Sequence, residues 1–158
     1  MPRRLRPVGL DFVGSAPLRL VFADEISAGP AEVFHALAHD TAGWKEWFGA
    51  VTLARPTDGG REIGLMGGVR FSETVLASDD PTRYAYRVDT TNAPVVRALA
   101  EEWLLSPTAP GGTRVQWTFA VDAPAGARGL LRVARPGLGH AFRDAVRSLD
   151  AALAAARG

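Results

Sequence analysis

The sequence predicts an α+β fold of two layers, a curved antiparallel sheet of seven strands wrapped around a long C-terminal helix. Three observations predict it. Residues 18–26 and then 50–122 alternate large apolar and polar side chains with a period of two. Clusters of Gly, Pro, Asn and Asp separate these runs at hairpin-like intervals, which argues for antiparallel neighbours rather than βαβ crossovers. The last segment switches to steps of three and four, the period of a helix with one apolar stripe.

In chain order, residues 1–17 read as a partly disordered tail whose Arg3, Arg4 and Arg6 are solvated, and residues 18–158 as a single domain. Leu18, Leu20, Phe22 and Ile26 mark the first strand. Gly29-Pro30-Ala31-Glu32 starts a short helix, because proline lacks only an N–H that the first turn leaves unpaired and Glu32 sits at the positive end of the dipole. Val33, Phe34, Leu37 and Ala38 form its stripe. Asp40 caps a second short helix carrying Trp44 and Trp47 on one face. Six strands follow, at 50–55, 61–66, 69–78, 83–90, 96–106 and 113–122. The final helix presents Leu138, Phe142, Val146, Leu149 and Leu153 in a band roughly 80° wide, and about 20 residues of helix reach ~30 Å, enough to cross the sheet. Pro136 starts it or kinks it away from a helical piece around 127–134.

The chain has 158 residues, 47% of them hydrophobic and 22% charged, the balance of an ordinary globule. Its formal net charge of +1 supplies no global field toward nucleic acid or anionic lipid. Cysteine is absent, which removes disulfides, thiolate nucleophiles and Cys-based zinc sites. Leu10, Phe12 and Val13 are interrupted by Gly9, Asp11 and Gly14, so no secretory apolar run follows the arginines, and no stretch is long enough to span a membrane. A cytoplasmic location and no stable membrane insertion are expected.

The order strand, two short helices, six strands and long helix (β-α-α-β6-α) is shared with a known family. Ile26 to Phe34 (ISAGPAEVF), Asp40 to Trp47 (DTAGWKEW), Phe71 to Val88 (FSETVLASDDPTRYAYRV) and Gly112 to Phe119 (GTRVQWTF) carry the likeness. Over residues 18–156 the chain resembles the polyketide cyclase/dehydrase-like branch of the START/Bet v 1 (SRPBCC) superfamily. The resemblance implies the helix-grip fold and a cavity under the long helix. It does not imply a substrate: members bind lipids, isoprenoids, polyketides or plant hormones, and others catalyse.

Acid–base chemistry would ordinarily fall to histidine. His35 and His39 point well over ~120° from the stripe of the first helix, and His140 lies about 160° from Phe142, so all three are expected to face solvent. No His pair has metal-binding spacing with a carboxylate, and no metal or cofactor is expected. Glu73 shares a face with Phe71 and Val75. It either enters the cavity, where desolvation raises its pKa, or is left exposed by a bulge, or is paired by an arginine such as Arg87 or Arg70. Glu101 and Glu102 point to opposite faces, and a Glu101–Trp103 inward face would add a second carboxylate.

The expected ligand-binding set is Trp44 and Trp47 on the second helix, Phe71, Glu73, Tyr86, Trp103, Trp117 and Phe119 on inward strand faces, and Phe142 on the long helix. Any one of these aromatics alone reads as core packing; together they read as the lining of a pocket. Arg135, just before Pro136, is placed either at the cavity mouth or in solvent.

Three functions compete. The outward histidines favour a non-catalytic binder of a small hydrophobic molecule. The alternative is a cyclase- or dehydratase-like enzyme with Glu73 or Tyr86 as acid–base group, which needs Glu73 inward and free of a neutralising arginine. The third is a protein-interaction module. Homodimerisation through the sheet is left open.

Overall fold

Alternation along the strands resolves into the two faces of one sheet, and the helices cover both. The computed structural model describes all 158 residues. In chain order these are strand β1 (Arg3–Arg4), helix α1 (Leu10–Ser15), strand β2 (Leu18–Ile26) and helix α2 (Pro30–Phe34), which runs on as a π-helical segment over His35–His39. A 3₁₀ turn at Thr41–Gly43 leads into helix α3 (Trp44–Trp47). The meander is β3 (Val51–Thr57), β4 (Gly60–Leu65), β5 (Arg70–Asp79), β6 (Arg83–Thr91), β7 (Ala98–Thr108) and β8 (Gly112–Asp122), followed by α4 (Ala125–Val133) and α5 (Arg135–Arg157).

The sheet is antiparallel in the order β2-β8-β7-β6-β5-β4-β3, with β1 added against β6. All seven expected strands form, and the expected helix-grip architecture is present. On the concave face, Leu99, Trp103 and Leu105 of β7 and Val115, Trp117 and Val121 of β8 enter the main core. Facing them, α5 buries Phe142, Ala145, Val146 and Leu149. Its 23 residues span about 34 Å. A Cβ on Gly139 would stand 3.2 Å from the Phe22 ring, so α5 crosses β2 closely where it has no side chain. The hinge expected near Pro136 is present as the α4–α5 junction at Ala134.

The first 17 residues depart from expectation: they are folded onto the sheet. β6 pairs with β7 only from Arg83 to Arg87, and beyond that point the two strands separate. Arg3 and Arg4 pair with Thr91 and Thr90, while the Leu5 and Arg6 amides donate to the Asp89 and Arg97 carbonyls. The segment therefore satisfies backbone groups that the divergence of β6 and β7 would leave unpaired. Behind it, Phe12 and Val13 of α1 pack on Ala98, Ala100 and Ala120 of the convex face. Those three alanines occupy the outward positions between large inward residues, and their small size admits the helix.

Because this outer cluster is an ordered part of the fold, Phe12→Ala should lower unfolding stability by about 3 kcal/mol, the range for deleting a buried aromatic. A chemical-denaturation midpoint indistinguishable from the parent would mean that the segment is not docked.

Candidate functional site

One row of polar side chains crosses five strands on the concave face. Arg61 on β4 is the register partner of Glu73 on β5, Tyr86 on β6 is the partner of Glu101 on β7, and Trp117 on β8, the partner of Trp103, reaches Glu101 through its side chain. Gly60 permits the first pairing, since a Cβ there would overlap the Glu73 carbonyl at 1.8 Å. Between β5 and β6 the register shifts at Ser72/Glu73. An irregularity is therefore present where a bulge was considered, yet Glu73 stays inward and 5% exposed.

Arg61, 3% exposed, donates from Nε to Glu73 Oε1. Its guanidinium carbon lies 4.1 Å from the ring centroids of both Trp44 and Tyr86. Trp44 is itself held by an Nε1 hydrogen bond to the Leu37 carbonyl at 2.9 Å. The cation is thus clamped between two π-faces, where quadrupole attraction offsets part of its desolvation. Arg61 Nη1 is buried and has no hydrogen-bond partner.

A second chain of hydrogen bonds converges on Glu101. Trp103 Nε1 donates to the Tyr86 hydroxyl at 3.1 Å, the Tyr86 hydroxyl donates to Glu101 Oε1 at 2.8 Å, and Trp117 Nε1 donates to the same oxygen at 2.9 Å. Two carboxyls thus share one guanidinium in an apolar setting. Burial, opposed by Arg61 and reinforced by Glu101, pushes the Glu73 carboxyl up to about 7. Burial likewise raises Glu101, against the hydrogen bond from Tyr86 and the charge of Arg61. Burial and the Glu101 charge raise the Tyr86 phenol well above its ordinary value, so its hydroxyl remains a donor at neutral pH.

This row forms the polar end of a hollow of about 200 Å³ between the sheet, α3 and α5. Six of the nine expected ligand-binding residues line it: Trp44, Phe71, Glu73, Tyr86, Trp117 and Phe119. The other three lie behind it in the core. Trp103 stacks on Trp117 at 5.5 Å, Phe142 stacks on Trp117 at 5.9 Å, and Trp47 packs on Trp44 at 4.6 Å. Besides Arg61 and Glu101, the remaining walls come from Phe48 and from smaller or aliphatic side chains, including Ile63 and Leu65 of β4 and Leu138 and Ala141 of α5.

Arg61 is the residue that sequence reasoning missed. The expected partners of Glu73, Arg87 and Arg70, do not fill that role: Arg87 pairs with Asp89, and Arg70 is exposed. The signal was present in β4, where Arg61, Ile63 and Leu65 share one face while Glu62 on the other pairs with Arg55. Glu101 and Trp103 do share the inward face. His35, His39 and His140 are exposed. Arg135 is outside the hollow, over the Phe22 ring at 4.8 Å and donating to the Val21 carbonyl at 3.0 Å.

The family described as polyketide cyclase/dehydrase and lipid transport matches residues 19–154. The chain belongs to that family. Among its relatives, an uncharacterized protein of Mycobacterium tuberculosis is 32% identical, with 95% of each chain covered. The fold is similar to that of the Zhui aromatase/cyclase from Streptomyces sp. R1128, with a TM-score of 0.67 and 17% identity over 82% of this chain and 90% of that one. It is also similar to a START superfamily protein from Mycobacterium smegmatis, with a TM-score of 0.64 and 12% identity over 84% and 94% of the two chains. No helix of the family member described here is long and apolar enough to cross a membrane.

The raised Glu73 carboxyl makes stability depend on pH with a definite sign. Between pH 4.5, its ordinary value, and about 7, the folded chain holds a proton that the unfolded chain has lost. Stability from this group is therefore fully present at low pH and falls as pH rises through that window, by about 3 kcal/mol at most. Glu101 contributes with the same sign. Urea midpoints at pH 5 and pH 8 should show a smaller acid-to-alkaline loss in Glu73→Gln than in the parent; equal losses would mean that Glu73 does not titrate in this range.

Proposed function

We propose that this protein binds a small, mainly apolar molecule with one polar oxygen, its hydrocarbon body in the hollow and its oxygen toward Arg61. The observation that carries this reading is the pairing of an apolar cavity with a buried donor, Arg61 Nη1, that has no partner within the chain. A buried polar atom left unpaired costs free energy, which a carbonyl, hydroxyl or carboxylate oxygen of a ligand would relieve. An engineered apolar cavity of about 150 Å³ accepts benzene, so a hollow of about 200 Å³ suits a compact ring-bearing molecule better than a long acyl chain. Family membership supports a ligand-binding or cyclase-like role, and lipids and polyketides are the classes its description names.

A second reading is a cyclase- or dehydratase-like enzyme, favoured by one observation: two carboxyls with raised pKa values stand at the polar end of the cavity. Arg61 neutralises Glu73, which leaves it a poor free base. In this version the proton-transfer group is Glu101, with Tyr86 orienting it. A binder and an enzyme then differ in whether the bound molecule is recovered unchanged.

Mass spectrometry of organic extracts from the purified protein should identify a bound apolar compound carrying oxygen. Ala141→Phe, which fills the wall contributed by α5, should lower affinity for that compound at least tenfold while leaving the melting temperature within a few degrees. Arg61→Met should weaken oxygen-bearing ligands more than their hydrocarbon analogues. Full affinity in Ala141→Phe would place the ligand outside the hollow, and equal losses for both ligand types would remove the role of Arg61.

A further inference from the structure

From Ala123 to Arg143 the chain carries four arginines, Arg128, Arg132, Arg135 and Arg143, and no Asp or Glu. None of the four forms a salt bridge, although nine arginine–carboxylate pairs occur elsewhere in the protein. The chain as a whole is only +1, so this stretch is more basic than the chain average. Within the same stretch, Leu130 and Val133 of α4 are 73% and 79% exposed, while Ala127 and Leu131 pack against the core. At ~100° per residue, the arc of α4 facing away from the core carries Arg132, Gly129, Val133 and Leu130 in that order. Apolar side chains thus project from the outer surface beside an unpaired arginine.

We propose that α4 is a docking surface for an anionic lipid bilayer, entering the headgroup layer with Leu130 and Val133 while Arg132 meets lipid phosphates. Charge complementarity selects this occupant. A purely apolar protein partner would leave Arg132 unpaired, and a purely polyanionic one would leave the two aliphatic side chains in water. A bilayer interface satisfies both, by the physics of short basic amphipathic helices at membranes. The binding is peripheral, in keeping with the absence of any spanning helix. α4 joins directly to α5, whose Leu138 and Ala141 line the hollow, so docking would bring the cavity wall to the membrane. That consequence rests on the ligand-binding reading above; the docking does not.

Flotation of the full chain with vesicles tests this, using phosphatidylcholine alone and phosphatidylcholine mixed with phosphatidylglycerol. The parent should float with the anionic vesicles, weakly with neutral ones, and less as salt is added. Arg132→Glu should lower partitioning at least about fivefold, the worth of one charge at such a surface. The double variant Leu130→Ser/Val133→Ser should lower it as strongly, and because these side chains are already exposed its melting temperature should match the parent. No flotation of the parent overturns the proposal. So does a loss confined to Arg132→Glu, which would mark a face for a soluble polyanion, and so does equal binding to neutral and anionic vesicles. Uptake of an apolar fluorescent dye without vesicles separates the two readings: flotation without dye uptake removes the cavity reading and leaves docking standing, and dye uptake without flotation does the reverse.

Discussion

The structure turns on a buried guanidinium. Arg61 enters the concave face of the sheet at the position where an aliphatic residue would give a continuous core, and everything around it compensates for that placement. Glu73 supplies the countercharge across the β4–β5 pair, and Trp44 and Tyr86 supply π-faces on either side. Removing two charges from water costs several kcal/mol per ion before their attraction is counted, and an apolar pair of similar volume is often as stable or more so. The ion pair is therefore weak evidence for stability and stronger evidence for a cavity with a polar end.

The hollow persists because the sheet is prevented from collapsing onto α5. Large rings at Trp103, Trp117 and Phe142 stack into a rigid block on one side. On the convex side, alanines at 98, 100 and 120 let α1 pack closely and brace β7 and β8. The N-terminal segment, by pairing with β6 where β7 departs, holds the sheet open at that place without leaving a bare edge. Curvature and cavity thus come from the same alternation of large inward and small outward residues.

Much of the fold was legible in the sequence because its signals are local and periodic. Two-residue alternation and hairpin glycines located the strands, and the stripe from Leu138 to Leu153 located the long helix. The cavity was legible only in part. Aromatic residues look alike whether they line a space or pack behind one, so Trp47, Trp103 and Phe142 could not be told from Trp44 and Trp117. Arg61 was hidden for a different reason. Arginine at the start of a strand ordinarily reads as solvated, and its burial depends on Trp44, which arrives from another element. The N-terminal segment was misread because its apolar residues are few and broken by glycine, while the alanine platform that receives Phe12 lies more than 80 residues away in sequence.

The polar end itself bears on whether binding or catalysis is the simpler account. Tyr86 is committed at both ends, donating to Glu101 and accepting from Trp103, and its raised pKa makes it a poor source of a proton. Glu73 is committed to Arg61. What remains for a ligand is an unpaired guanidinium nitrogen and the second oxygens of Glu73 and Glu101, since the donors to each carboxyl fall on Oε1. A donor and acceptors lining one hollow suffice to recognise a hydroxyl or carbonyl. Proton transfer would require more: a reacting carbon held against one of those oxygens, with Arg61 to take the developing charge. Binding asks less of the residues present, and it accounts for a buried guanidinium nitrogen that the fold leaves without a partner.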